Sequence, residues 1–110
     1  MPDITASYIE HVLEQAMTLN LQVNIDYNGG HRTVEPHAIG ISRAGKPCFR
    51  AWQDSGDSLS GEQTGWKMFL LDELYGIKLL DRQSQAPRPG YKQGDKGMSE
   101  IHHELKLPNA

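Results

Sequence analysis

The chain has 110 residues, 37% of them hydrophobic, with eleven glycines and a formal net charge of -3. That is one domain with a single modest core, too short for a catalytic domain joined to a separate sensor; no apolar run reaches bilayer-spanning length, and the negative balance excludes coating nucleic acid by bulk electrostatics. The lone Cys48 forms no internal disulfide and the N-terminus carries no secretory pattern, so a cytoplasmic protein without membrane insertion is expected.

Residues 5–20 are expected as a helix: Ser7-Tyr8-Ile9-Glu10 has the form of a capping box, and Ile9, Val12, Leu13, Ala16 and Met17 recur at helical spacing. The opening segment carries Asp3, Glu10 and Glu14 without a lysine or arginine, whereas Arg32, Arg43, Lys46 and Arg50 stand against the single acid Glu35 further on. The helix is therefore acidic and the strands after it basic. A strand over 21–28 puts Leu21, Val23, Ile25 and Tyr27 on one face, and Gly29-Gly30 supplies the positive φ of a tight hairpin turn. The return strand over 32–42 contains Pro36, which has no N–H for a ladder and is expected to divide it into two half-strands at an edge, bulge or bend.

Residues 43–47 read as a turn, and the strand over 48–53 alternates Cys48, Arg50 and Trp52 against Phe49 and Ala51. One face of it is apolar; the other presents an arginine between a thiol and an indole. An acidic loop follows over 54–64, without the ligand spacing of an EF-hand, and Ser55-Gly56-Asp57-Ser58 within it is a candidate lid. Strands over 66–71 and 77–81 bring the total to five. From residue 83 onward prolines, glycines and charges dominate, so 83–110 is expected as a poorly structured or draped tail in which 98–105 makes at most two helical turns, and 1–82 is the folded unit.

Tyr27 followed by Arg32-Thr33-Val34-Glu35-Pro36, then Cys48-Phe49-Arg50-Ala51, then Phe69-Leu70-Leu71-Asp72-Glu73-Leu74, resembles the WYL domain over roughly residues 10–80. Pro89-Gly90-Tyr91 and Gly94-Asp95-Lys96-Gly97-Met98 look like the ends of short stand-alone bacterial members. The resemblance implies a mainly β fold, an N-terminal helix and a small SH3-like or Sm-like five-stranded β-barrel. It also implies a ligand sensor in transcription regulation, with single-stranded nucleic acid or a nucleotide as the ligand. The chain departs from that pattern at the Trp-Tyr-Leu run, here Cys48-Phe49-Arg50, and at two basic positions, here Leu70 and Glu73; Arg50 and Lys67 are candidate substitutes. It has no room for a helix-turn-helix beside the barrel.

The candidate ligand-binding residues are Arg32, His37, Arg50, Trp52 and Lys67, with Tyr27, Glu35, Phe69 and Asp72 in support. A guanidinium offers phosphate a planar fork of donors, and an indole offers a base a π face. The same residues have a structural reading, in which Arg32 pairs with Glu35 or Asp72 while Trp52 and Trp66 are core; both stay open at this level. His31, His37, His102 and His103 lack the cysteines and convergence of a zinc site, and Cys48 has no adjoining helix N-terminus or oxyanion loop, so neither a metal, a cofactor nor catalysis is expected. The alternative to a nucleotide-type ligand is a protein partner, a homodimer or a regulator, contacted through the acidic helix face or through 83–110.

Overall fold

The computed structural model describes residues 5–56 and 64–107. Helix α1, Ala6–Leu19, starts at Thr5, whose side-chain oxygen accepts the Tyr8 N–H at 3.1 Å. The cap therefore sits two residues before the expected box, because the Ile9 N–H already reaches the Thr5 carbonyl at 3.0 Å and closes the first helical turn there. Asn20 ends the helix in the left-handed region, and its backbone exchanges a bond with Ser84 as that residue's N–H reaches the Asn20 carbonyl at 2.8 Å. The stripe of Ile9, Val12, Leu13 and Ala16 is buried against the sheet.

Among the described residues six antiparallel strands follow: β1 Leu21–Tyr27, β2 Gly30–Ser42, β3 Pro47–Gly56, β4 Gly65–Leu70, β5 Leu74–Gln83 and β6 Met98–Glu104, with a 3-10 turn at Leu71–Glu73 before β5. The order is β4-β3-β2-β1-β5, and β6 adds to β2. The fold is thus mainly β with one helix, as expected, on an open sheet of six strands rather than five. At the first hairpin the positive φ falls on Asn28 (51°) and Gly29 (77°), while Gly30 is the first ladder residue, opposite Tyr27. This is the Asn-Gly two-residue turn whose twist suits a hairpin, shifted one residue from the expected Gly-Gly pair.

The long β2 changes partner halfway. On one edge it pairs with β3 along its length, and on the other it pairs first with β1, through Val34, and then with β6, from Ala38 onward. Pro36 lies between, where no N–H is required of it, and the register slips between Pro36 and Ala38 so that His37 is an extra, bulged residue. The strand stays continuous through this bulge instead of dividing. Gly40 shows how closely β6 docks: a Cβ there would stand 2.1 Å from the Glu100 carbonyl oxygen. The segment expected as a short helix in a draped tail is therefore a sheet strand, and it satisfies a β2 edge that Pro36 had left without β1.

Alternation along β2, β3 and β4 separates two cores. Val34, Phe49, Ala51 and Phe69 face α1 with Val23, Ile25 and Leu74, whereas Ala38 and Cys48 face away and pack with Met98, Met68, Leu70 and Ile101. The chain after β5 covers this second face, burying Ser84, Tyr91 and Met98. The loop expected over 54–64 and its lid fall largely outside the described residues; 54–56 belong to β3. Among the described residues no helix is long and apolar enough to cross a membrane.

Candidate ligand cleft

Strand parity parts the expected ligand residues. Arg50 lies opposite Met68 and Trp52 opposite Trp66, whereas Lys67 lies opposite Ala51, so Lys67 is on the helix side and Arg50 and Trp52 are on the other. Arg32, opposite Ile25, also belongs to the helix side. It is only 6% exposed, with its guanidinium carbon 5.2 Å from the Tyr27 ring centre and 5.5 Å from that of Phe69. Its Nη1 donates to Gln53 Oε1 at 3.4 Å, and its Nε has no partner among the described residues. The acids expected to pair with it are engaged elsewhere: Glu35 by Arg88 at 2.6 Å, and Asp72 by Lys46 at 3.8 Å. Tyr27 and Phe69 meet edge to face at 4.9 Å, and the Tyr27 hydroxyl accepts the Leu70 N–H. These supporting residues are core.

His37, expected to donate to a ligand, has both ring nitrogens committed. Nδ1 donates to the Glu35 carbonyl at 2.8 Å and Nε2 accepts the Arg88 N–H at 3.0 Å, which fixes the neutral tautomer. Burial pulls its pKa below the usual imidazole value, against the raising effect of the Glu35 carbonyl. Beside it the Glu35 carboxylate, 0% exposed, accepts from Gln22 Nε2 at 2.9 Å, the Gln85 N–H at 3.0 Å and Arg88 Nε at 2.6 Å. Burial pushes the Glu35 pKa up, but these bonds outweigh it and hold it below the ordinary carboxylate value. Arg88 also reaches Asp54 at 3.4 Å and lies 5.3 Å over the Trp52 ring. His37, Glu35 and Trp52 thus hold the C-terminal segment in place.

Three other histidines sit beside carboxylates. His31 meets Asp26 at the exposed hairpin, and the β6 histidines meet the helix acids, His102 with Glu10 at 3.1 Å and His103 with Glu14. The acidic helix face is consequently used within the chain. A register slip at His102 turns both neighbours out of simple alternation. No grouping among the described residues could hold a metal. Hydrogen bonds with Glu10 and Glu100 raise the His102 pKa, so its stabilisation is full below the unfolded value near 6.5 and is lost as pH rises through the folded value. His37 works the other way: the unfolded chain takes up a proton below about 6.5 that the buried ring refuses, so stability falls with acidification. His102→Gln should therefore lower the melting temperature at pH ~6 and leave it nearly unchanged at pH ~8.5; an equal loss at both values would contradict the pairing.

Arg50 and the C-terminal segment form a cleft on the face away from the helix. It has a volume of about 300 Å³ and is lined by Arg50, Trp66, Tyr91, Lys92, Asp95 and Lys96. The Trp66 and Tyr91 rings are stacked at 6.2 Å with 30° between planes, and His37 meets Trp66 edge-on at 4.6 Å. The Tyr91 hydroxyl donates to the Leu105 carbonyl at 2.6 Å, and burial, with Glu104 and Asp95 nearby, pushes its pKa up to about 12. Arg50 Nε donates to Asp95 Oδ2 at 2.6 Å and Nη2 to Oδ1 at 3.1 Å, while Oδ1 also takes the Gly97 N–H at 2.8 Å. The bonds from Arg50 outweigh burial and hold Asp95 below its ordinary pKa.

Of the expected ligand residues, the cleft gathers Arg50 alone. Tyr91, Lys92, Asp95 and Lys96 were missed because a segment rich in proline, glycine and charge reads as a tail. The available signal was an arginine held between two prolines and followed by a tyrosine, in Pro87-Arg88-Pro89-Gly90-Tyr91. Compared with known proteins, the chain matches no family model, no curated protein and no solved structure.

Proposed function

We propose that this protein is a non-catalytic ligand-binding module, a sensor or regulatory accessory of WYL type on an SH3-like or Sm-like scaffold, that takes a nucleotide or single-stranded nucleic acid. The observation that carries this reading is the cleft itself, where the stacked Trp66 and Tyr91 rings meet Arg50, Lys92 and Lys96. An accessible aromatic face holds a base at about 1–3 kcal/mol, and a guanidinium with lysines beside it suits phosphate. Two segments that resemble the ends of short WYL proteins, Pro89-Gly90-Tyr91 and Gly94-Asp95-Lys96-Gly97-Met98, supply much of the lining. The ligand surface of this reading therefore moves from the expected Arg32, Arg50, Lys67 and Trp52 set to Arg50, Trp66, Tyr91, Lys92 and Lys96. Arg32 and Lys67 lie across the sheet from it.

Fluorescence anisotropy of labelled single-stranded and duplex oligonucleotides, titrated with the protein at low and moderate salt, tests this. Saturable binding of the single strand, weakened by salt as phosphate contacts release counterions, is expected. The double change Lys92→Glu and Lys96→Glu should lower the affinity at least ~10-fold, by reversing two charges at the rim, with the melting temperature unchanged. Equal binding of duplex, or no effect of the double change, would contradict the assignment.

A further inference from the structure

The grip of Asp95 on Arg50 suggests which part of such a ligand the cleft reads. A guanidinium has two edges that can each offer a pair of parallel N–H donors, one formed by Nε and Nη2 and the other by Nη1 and Nη2. Asp95 occupies the first edge with both carboxylate oxygens. Nη1 has no protein partner among the described residues, so the second edge remains for another bidentate acceptor. The carboxylate side of the pair is the more deeply set, 11% exposed against 26% for the arginine, and Arg50 lines the cleft.

Charge and size narrow that acceptor. Three cations, Arg50, Lys92 and Lys96, line the cleft against the single carboxylate of Asp95, a surplus of two positive charges. Glu104, which is not among the lining residues, accepts the Gly94 N–H at 2.9 Å. A diester inside a strand carries one negative charge, whereas a phosphate monoester carries about 1.5 to 2 near neutral pH and has three free oxygens to share between a fork and two lysines. A cleft of about 300 Å³ is at the small end of ligand sites, room for one nucleotide unit rather than a strand passing through.

On the strength of the nucleotide-binding reading above, we propose that the cleft recognises a terminal phosphate monoester, on a mononucleotide or a strand end, through the free edge of Arg50, and that Asp95 is the positioning residue that orients it. Asp95 stays ionised across neutral pH because Arg50 and the Gly97 N–H stabilise its charged form. Replacing Arg50 by lysine keeps the charge but removes the fork.

The test compares one single-stranded oligonucleotide carrying a phosphate at either end, at both or at neither, titrated with the full chain, and nucleoside monophosphate against nucleoside as competitors. Phosphate at one end is expected to tighten binding at least ~10-fold, as two added charges between a fork and two lysines require, and only the monophosphate should compete. Arg50→Lys and Asp95→Asn should each collapse the ratio of phosphorylated to unphosphorylated affinity toward one. Equal affinity of all the wild-type arms would overturn the terminal-phosphate assignment and leave the single-strand reading standing. Failure of every oligonucleotide and nucleotide to bind would overturn both. The comparison of ligands needs no variant, so it decides the matter even if Asp95→Asn does not fold.

Discussion

A chain ending at Gln83 will show no cooperative unfolding transition. Without the segment that follows, the β2 edge from Ala38 to Ser42 loses β6, and the second core loses Met98, Tyr91 and Ile101 from over Ala38, Cys48 and Trp66. Burying a large apolar side chain is worth about 1.5–3 kcal/mol, so these three alone account for several kcal/mol. The truncation also strips Glu35 of Arg88 and the Gln85 N–H, and His37 of the Arg88 N–H, leaving Glu35 with Gln22 as its remaining hydrogen-bond donor among the described residues. Against a total stability of about 5–15 kcal/mol for a domain of this kind, losses on two fronts exceed what the rest can sustain. Circular dichroism on heating, followed in the near ultraviolet where the two tryptophans report packing, measures this. A sharp transition within a few degrees of the full chain would instead mean that the segment after β5 is an accessory tail.

The second large effect is expected at Arg88. Arg88→Met keeps much of the volume of the side chain over Trp52 but removes the cation from a carboxylate that is fully buried. Breaking a buried pair from one side costs about 3–5 kcal/mol, because the orphaned charge stays desolvated. The double variant Arg88→Met with Glu35→Gln should recover part of that loss, since the neutral amide no longer needs a counter-charge. The pH dependence has a defined sign. Glu35 is held below its ordinary value in the native chain, so the stability it contributes is present above about 4.5 and is lost as pH falls through the folded value. The gap between native chain and Arg88→Met should therefore be widest above pH ~5 and narrow below it. Urea denaturation at several pH values reads this directly, and a single variant within about 1 kcal/mol of the native chain would contradict the role given to the pair.

Local pattern carried much of the fold. The α1 stripe, the alternation of β1 and the shared face of Cys48, Arg50 and Trp52 follow from residue spacing, and the structure keeps each of them. What escaped was non-local. Period two within a strand does not say which residue of the next strand stands opposite, so placing Lys67 beside Arg50 was a register error of one residue, enough to put it across the sheet. The His37 bulge beside Pro36 and the slip at His102 interrupt alternation where β2 meets its late partners, and β6 therefore lacks a strand signature. Arg88 and Glu35 are 53 residues apart, and their pairing depends on how the chain returns after β5. The cleft was illegible for the same reason, since its lining comes from β3, from β4 and from a loop whose composition is that of a tail.

The most direct test of the account is an amide and indole chemical-shift titration of the isotope-labelled full chain with a short single strand bearing a terminal phosphate. The account predicts saturable shifts at Arg50, at the Trp66 indole N–H and through residues 90–97, with α1 unmoved. Shifts centred on Arg32 and Lys67, or on α1 and β6, would contradict it, as would a spectrum that the strand leaves unchanged.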